Sequence, residues 1–127
     1  MSNNCFVCGK NNSDGMKVEF VLEDKKAYSE LILDRRFEGW KGIVHGGILA
    51  TLLDEVMAKA CIAAGYEAVT TNIETKFKKQ VEVNEQIYLE GKVVKKRKKL
   101  LYTEATIKIN DKIHVKANAR FWIKSKL

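Results

Sequence analysis

Apolar and polar residues alternate along the last quarter of the chain. From Ile113 to Ile123 the odd positions are apolar, and mostly polar residues stand between them. Residues 101–109 alternate in the same way, and a period of two is typical of half-buried β-strands. The polar residues 110–112 between these runs predict a hairpin turn. Further strands are predicted at residues 16–23, 27–33, 69–78 and 86–96.

Residues 46–64 follow a different pattern. They are rich in alanine and leucine, and Gly65 stands where a helix commonly ends. Their apolar residues recur at helical spacing, which predicts a mostly buried helix about 28 Å long. Such a helix and about six antiparallel strands predict an α+β domain whose sheet curls around the helix. An open α+β sandwich, or a helix half-buried in a dimer, are the alternatives.

Length and composition narrow the class of protein. The 127 residues suit one domain over positions 1–127, and 46% hydrophobic with 31% charged residues suits a packed core. No apolar run is long enough to span a bilayer, and the N-terminus lacks the features of a signal peptide. We therefore expect a cytoplasmic protein with no membrane partner. Three cysteines are an odd and small number, which argues against a disulfide framework.

The net charge of +7 raises the question of a polyanionic partner. The basic residues are spread over strands and turns and are dense only at residues 92–99. No helix-turn-helix, zinc-finger or aromatic stacking motif accompanies them, so we expect no nucleic-acid partner.

A glycine-rich segment, residues 37–47, leads into the predicted helix. Gly46 and Gly47 at its start leave backbone N–H groups unpaired and open, which suits an anion or a developing oxyanion. Tight packing of the helix explains the glycine pair equally well. His45 precedes the pair and either bonds the backbone at the helix start or contacts a substrate.

Two consecutive carboxylates lie on the predicted helix. Asp54 is on a small, largely apolar face, where a carboxylate is costly unless it has a partner or a task. Glu55 has Lys59 four residues later, the favourable order for a solvated ion pair. We therefore assign Glu55 to the surface and Asp54 to the candidate site. A buried carboxylate that caps a neighbouring loop is the structural alternative for Asp54.

Residues 40–55, WKGIVHGGILATLLDE, resemble the signature of the hotdog-fold acyl-CoA thioesterases, including the nine-residue spacing from His45 to Asp54. The resemblance continues through residues 69–77 and 90–94, and residues 5–9, CFVCG, resemble the start of many bacterial members. It implies a long helix wrapped by a curved antiparallel sheet. It also implies a homodimer, or a dimer of dimers, whose active sites lie between two protomers paired edge to edge.

The resemblance implies hydrolysis of an acyl-CoA thioester without a cofactor. Asp54 would be the general base or nucleophile, and the Gly46 N–H would polarise the thioester carbonyl. His45 would belong to the same catalytic group, and Thr70 would position water or the carboxylate. The implied substrate-binding residues are Trp40, Gly47 and Asn72. The basic candidates for the coenzyme A phosphates are Lys76, Lys78, Lys79 and residues 95–99, for which a solvated strand is the alternative. A non-catalytic module that binds acyl-CoA or an acyl carrier is the alternative function.

Cys5 and Cys8 form a Cys-x-x-Cys pair. A structural zinc site needs two further ligands, but Cys61 lies on the predicted buried helix and His45 belongs to the glycine-rich segment. The sequence therefore predicts no metal site, and assigns the pair to packing of a short N-terminal segment. Metal binding between subunits is the remaining alternative.

Overall fold

The computed structural model describes residues 1–127, and its elements follow the predicted order of two strands, one helix and four strands. A short 3-10 turn, Arg35–Phe37, precedes the helix α1 (Gly46–Ala63). The strands are β1 (Val21–Glu23), β2 (Lys26–Ile32), β3 (Tyr66–Phe77), β4 (Gln86–Arg97), β5 (Leu100–Ile109) and β6 (Lys112–Lys126).

The strands form one antiparallel sheet in the order β1-β2-β4-β5-β6-β3. The sheet curves around α1, so the predicted wrapped-helix architecture is confirmed. The core lies between them and includes Leu52 and Val56 of the helix and Leu89 and Phe121 of the sheet, each 0% exposed. Burial of these apolar side chains is what holds the helix in the sheet.

The helix packs very closely on the sheet at Gly91 of β4. A Cβ atom at this position would lie 3.0 Å from both Cγ1 and the carbonyl oxygen of Val56. A side chain here would push the helix backbone away from the strand, so the contact requires glycine.

The chain reverses at the two places that the sequence predicts. Gly65 follows α1 with φ +99°, a left-handed conformation that ends the helix and returns the chain along β3. Asn110 and Asp111 join β5 to β6 with φ values of +50° and +65°. Positive φ at both central residues is typical of a tight two-residue hairpin turn.

The predicted strand at residues 16–23 is wrong for its first five positions. Only Val21–Glu23 pair with β2, and Lys17 has φ +53°. The backbone N–H groups of Met16 and Val18 instead donate to the carbonyl oxygens of Phe6 and Val7, each at 2.8 Å. The N-terminal segment therefore takes the hydrogen bonds that a neighbouring strand would have supplied, which a local apolar pattern does not reveal.

Strand β3 lies at the edge of the sheet, because β6 is its only neighbour. Its exposed apolar side chains are Val69, Ile73 and Phe77, which are 46%, 39% and 54% exposed. A long edge strand with apolar side chains has unpaired backbone groups and favours pairing with another chain.

The single α-helix, α1, is not long and apolar enough to cross a bilayer.

Candidate active site

His45 caps the N-terminus of α1. Its Nδ1 accepts a hydrogen bond from the Gly47 N–H at 2.9 Å, so Nδ1 carries no proton in this arrangement. A Cβ at position 47 would lie 3.1 Å from this imidazole. Of the two roles considered for His45, the structure shows the hydrogen bond to the backbone at the helix start. Because this bond occupies the Gly47 N–H, that donor is not free for another acceptor.

Gly46 carries the open donor at this helix start. It is the first residue of α1, and its N–H has no acceptor within the chain. Gly46 is exposed, and a Cβ there would lie 3.5 Å from the Phe77 ring, an ordinary contact. Since the N-terminal N–H groups carry the positive end of the helix dipole, this donor suits a carbonyl oxygen that gains negative charge.

The segment before His45 folds into a tight loop. Glu38 and Val44 form an isolated bridge, and the Glu38 carboxylate accepts from the Gly42 N–H at 2.8 Å. Gly42 has φ +79°, a conformation that favours glycine. Trp40 stands in this loop and is 84% exposed, so within one chain it does not line a pocket with Asp54.

Asp54 is joined to Thr70. The Thr70 hydroxyl donates to Oδ1 of Asp54 at 2.5 Å, across sixteen residues of sequence. Asp54 is only half-buried, because it lies where α1 faces β3 at the border of a cleft. The hydroxyl fixes one carboxylate oxygen and leaves the other open for a reacting group.

A bulge in β3 decides which side chains face the helix. The register between β3 and β6 shifts between Thr70 and Asn72, and the Thr71 hydroxyl donates to the Arg120 carbonyl oxygen at 3.1 Å. Thr70 lies opposite the buried Phe121, whereas Asn72 lies opposite the exposed Arg120. Since directly opposed residues share a face, Asn72 is on the outer face of the sheet, away from Asp54.

A cleft of about 540 Å³ opens between α1 and β3 beside Asp54 and Thr70. Its other lining is largely apolar and includes Ala58, Ile62 and Val69. Glu55, Glu67 and Lys124 line it as well. A few polar groups in a largely apolar cleft are typical of a site that binds an apolar ligand and acts on its polar end.

Gly46 and Asp54 are too far apart to act on one carbonyl within one chain. They are eight residues apart on α1, which corresponds to about 12 Å along the helix axis. A reacting carbonyl group must lie about 3 Å from its donor, and the nucleophile or the base with its attacking water must be within about one water molecule of the same carbonyl. Within one chain these two groups therefore cannot act on the same carbonyl group.

Glu55 is buried, so its assignment to the surface is wrong. It is 9% exposed, and its carboxylate oxygens lie 3.7 and 3.8 Å from the Cys5 thiol. Lys59 makes no ion pair with it and lies instead over the Phe20 ring, 5.8 Å from the centroid. The N-terminal segment, fifty residues away in sequence, covers this face of α1. Partial burial, together with hydrogen bonding to Glu55, raises the pKa of the nearby Cys8 thiol to about 11.

Comparison with known proteins identifies the family. Residues 41–115 match the family model described as the thioesterase superfamily. This chain belongs to the thioesterase superfamily. Mouse acyl-coenzyme A thioesterase THEM5 is 30% identical to it over 110 residues, which are 84% of this chain and 44% of that protein. The chain thus spans less than half the length of this superfamily relative.

Solved structures of other proteins show the same fold. The protein smu.793 from Streptococcus mutans, bound to acetyl CoA, has a TM-score of 0.81 and 19% identity, over 86% of this chain and 90% of that one. A hypothetical thioesterase from Streptococcus pneumoniae TIGR4, with coenzyme A, has a TM-score of 0.81 and 18% identity, over 85% and 89% of the two chains. These likenesses confirm the hotdog fold.

In this thioesterase superfamily member the predicted site residues fall into separate groups. Asp54 and Thr70 meet at the cleft, while His45, Gly46 and Gly47 form the helix start. Trp40 and Asn72 belong to neither group within one chain. Sequence reasoning missed the environment of Glu55, and the Cys-x-x-Cys pair was the one signal that could have pointed to it.

Proposed function

We propose that this protein is an acyl-CoA thioesterase, which hydrolyses a thioester to a carboxylic acid and coenzyme A. The observation that carries the proposal is the hydrogen bond between Thr70 and Asp54 at the border of an apolar cleft. The cleft suits the acyl group, and the carboxylate suits the reacting end. Membership of the thioesterase superfamily and 30% identity to a protein named an acyl-coenzyme A thioesterase support it.

The reaction requires two groups, both available on α1. Asp54 either takes a proton from the attacking water or attacks the carbonyl itself, giving an anhydride that water then opens. In both routes negative charge builds on the carbonyl oxygen, and the Gly46 N–H stabilises it. The C–S bond breaks and coenzyme A leaves as a thiolate. Thr70 holds the Asp54 carboxylate in position in either route.

The active site in this proposal is completed by a second copy of the chain. The free edge of β3 and its apolar side chains favour pairing of two protomers about a two-fold axis. With this axis perpendicular to α1, the two helices run antiparallel. An axis level with the middle of the Gly46-to-Asp54 interval therefore brings Gly46 of the partner subunit beside Asp54.

Three further observations support the proposal. Solved mutants of the S. pneumoniae protein carry alanine in place of an aspartate and of a threonine sixteen residues later, the same separation as between Asp54 and Thr70. The S. mutans and S. pneumoniae structures contain acetyl CoA and coenzyme A. The basic residues named above are exposed near the end of β3 and at the β4–β5 turn, where phosphates are accessible to them.

The decisive variant is Gly46→Pro, which removes the N–H and little else. Proline is favoured at the first helical position, and His45 has the φ of −57° and ψ of 129° that a residue before proline prefers. We expect thioester cleavage, followed by absorbance on short, medium, long-chain and aryl acyl-CoA esters, to fall about 100-fold or more. Gly46→Ala is the matched control, because it keeps the N–H and its Cβ has room against Phe77.

Mixing two inactive variants tests whether the site is shared. A dimer of one Gly46→Pro chain and one Asp54→Asn chain has one intact site, so random mixing should restore about a quarter of wild-type activity. Mixed, refolded chains that stay inactive would contradict the shared site. A wild-type protein that binds the esters without cleaving any of them would contradict the thioesterase and support the binding module instead.

A further inference from the structure

The N-terminal segment brings two thiols to the buried Glu55 of α1. Atoms of Cys5, Cys8 and Glu55 that could bind a metal all lie within 4.8 Å of one another. They come from two parts of the chain, a turn at residues 5–9 and the middle of the helix. The third ligand is the Glu55 carboxylate, which the sequence pattern had assigned to the surface.

The spacing of these atoms suits a tetrahedral ion. Bonds of about 2.3 Å to sulfur and 2.0–2.2 Å to a carboxylate oxygen place neighbouring ligand atoms about 3.5–3.8 Å apart. The Cys5 sulfur lies 3.7 and 3.8 Å from the two Glu55 oxygens. Cys5 and Glu55 therefore have the spacing that a bound ion requires, and the Cys8 sulfur lies within 4.8 Å of both.

Glu55 forms no salt bridge, and the nearby Lys59 ammonium interacts with the Cys8 thiol instead. Glu55 is 9% exposed, and neither ion pair of the chain involves it. The hydrogen bonds that it receives come from thiols, which are weak donors. A buried carboxylate without a positive partner is costly, and a divalent ion at this point offsets that cost.

The turn that carries the thiols is tightly built. The Gly9 N–H donates to the Cys5 carbonyl oxygen at 2.9 Å, which closes one turn around Cys8. A Cβ at Gly9 would lie 2.4 Å from the Cys5 nitrogen and 2.5 Å from the Asn3 carbonyl oxygen, so the turn requires glycine. Cys5 and Cys8 are only half-buried, which leaves an entry path from solvent.

We propose that Cys5, Cys8 and Glu55 bind a zinc ion. Two thiolates and a carboxylate are a donor set that suits Zn²⁺ and disfavours Mg²⁺ and Ca²⁺, which prefer oxygen ligands. Binding releases the two thiol protons to solvent, and water fills the fourth position. The ion ties the N-terminal segment to α1 one residue away from Asp54. This proposal stands independently of the thioesterase activity.

The metal content of the full chain tests the site. The protein is purified under reducing conditions, dialysed against zinc, and then dialysed against metal-free buffer. We expect about one zinc per chain by mass spectrometry. Cys5→Ser, Cys8→Ser and Glu55→Gln should each weaken zinc binding at least 10-fold in competition with a chromogenic chelator. Cys61→Ser is the control and should keep wild-type zinc, because Cys61 is 0% exposed and lies outside the cluster.

Cobalt binding tests the site even where a variant fails to fold. Co²⁺ added to reduced wild-type protein should give the near-ultraviolet absorbance band of thiolate–cobalt bonds, and zinc should abolish it. A wild-type chain that retains no zinc and gives no such band would overturn the proposal. Equal zinc in the wild type and in the Cys5→Ser variant would overturn it as well.

Discussion

Asp54 and Glu55 are consecutive carboxylates on one helix that border the same cleft but have different partners. Asp54 is half-buried beside the apolar cleft and accepts from the Thr70 hydroxyl at 2.5 Å. Glu55, about 100° around the helix, is covered by the N-terminal segment and meets the Cys5 thiol. The contrast teaches that neighbouring segments, and not the residue type, decide what a carboxylate on this helix does.

Exchanging each carboxylate for its amide should separate the two roles most strongly. Asp54→Asn should lower the rate of thioester cleavage about 100-fold or more, because the amide is neither base nor nucleophile, while zinc content stays unchanged. Glu55→Gln should lose zinc and with it the zinc-dependent rise in melting temperature. Steady-state kinetics, metal analysis and thermal melts on both variants make the comparison. A loss of zinc in the Asp54→Asn variant would contradict this separation of the two roles.

The two threonines at the β3 bulge offer a smaller, matched comparison. Thr70→Ala should lower kcat about 10-fold, because the Asp54 carboxylate loses the hydroxyl that orients it, and Thr70→Ser should recover most of the rate. Thr71→Ala removes only the bond to the Arg120 carbonyl oxygen and should keep a rate close to the wild type. Equal losses in the Thr70→Ala and Thr71→Ala variants would mean that the bulge, and not the hydroxyl, matters.

The smallest expected effect concerns the third cysteine. Burial raises the pKa of the Cys61 thiol from 9.0 to about 12. Above pH 9 the unfolded chain loses this proton and the folded chain keeps it, so the stabilisation is complete below pH 9 and is lost as the pH rises toward 12. The free energy of unfolding, measured by urea titration between pH 8 and about 10, should fall less steeply in Cys61→Ala than in the wild type. Parallel slopes would contradict this assignment.

Much of the fold could be predicted because the relevant signals are local. The period-two alternation at residues 101–109 and 113–124 predicts β5 and β6, and the apolar helical spacing predicts α1. The start of the first predicted strand was wrong, because its hydrogen bonds go to residues 6 and 7 and not to β2. An apolar pattern indicates which residues are buried. It does not indicate which carbonyl oxygen accepts the hydrogen bond of a given backbone N–H group.

The candidate site was predictable to a similar extent. The residues themselves pointed to Asp54 and the glycine-rich helix start, and the resemblance to a family added Thr70. The structure joins Asp54 to Thr70 by a hydrogen bond. Asn72 lies elsewhere because one inserted residue at the bulge turns it to the outer face of β3. Nothing in the alternation of β3 signals this shift of register.

The sequence by itself determined the elements, their order, the glycine turns and the helix start, since each depends on residues within a few positions of one another. Only the tertiary structure decided that Asp54 meets the Thr70 hydroxyl, and that Glu55 meets Cys5. These relations depend on how distant segments pack around α1. Packing is set by the sum of many contacts across the whole chain, and no local pattern encodes it.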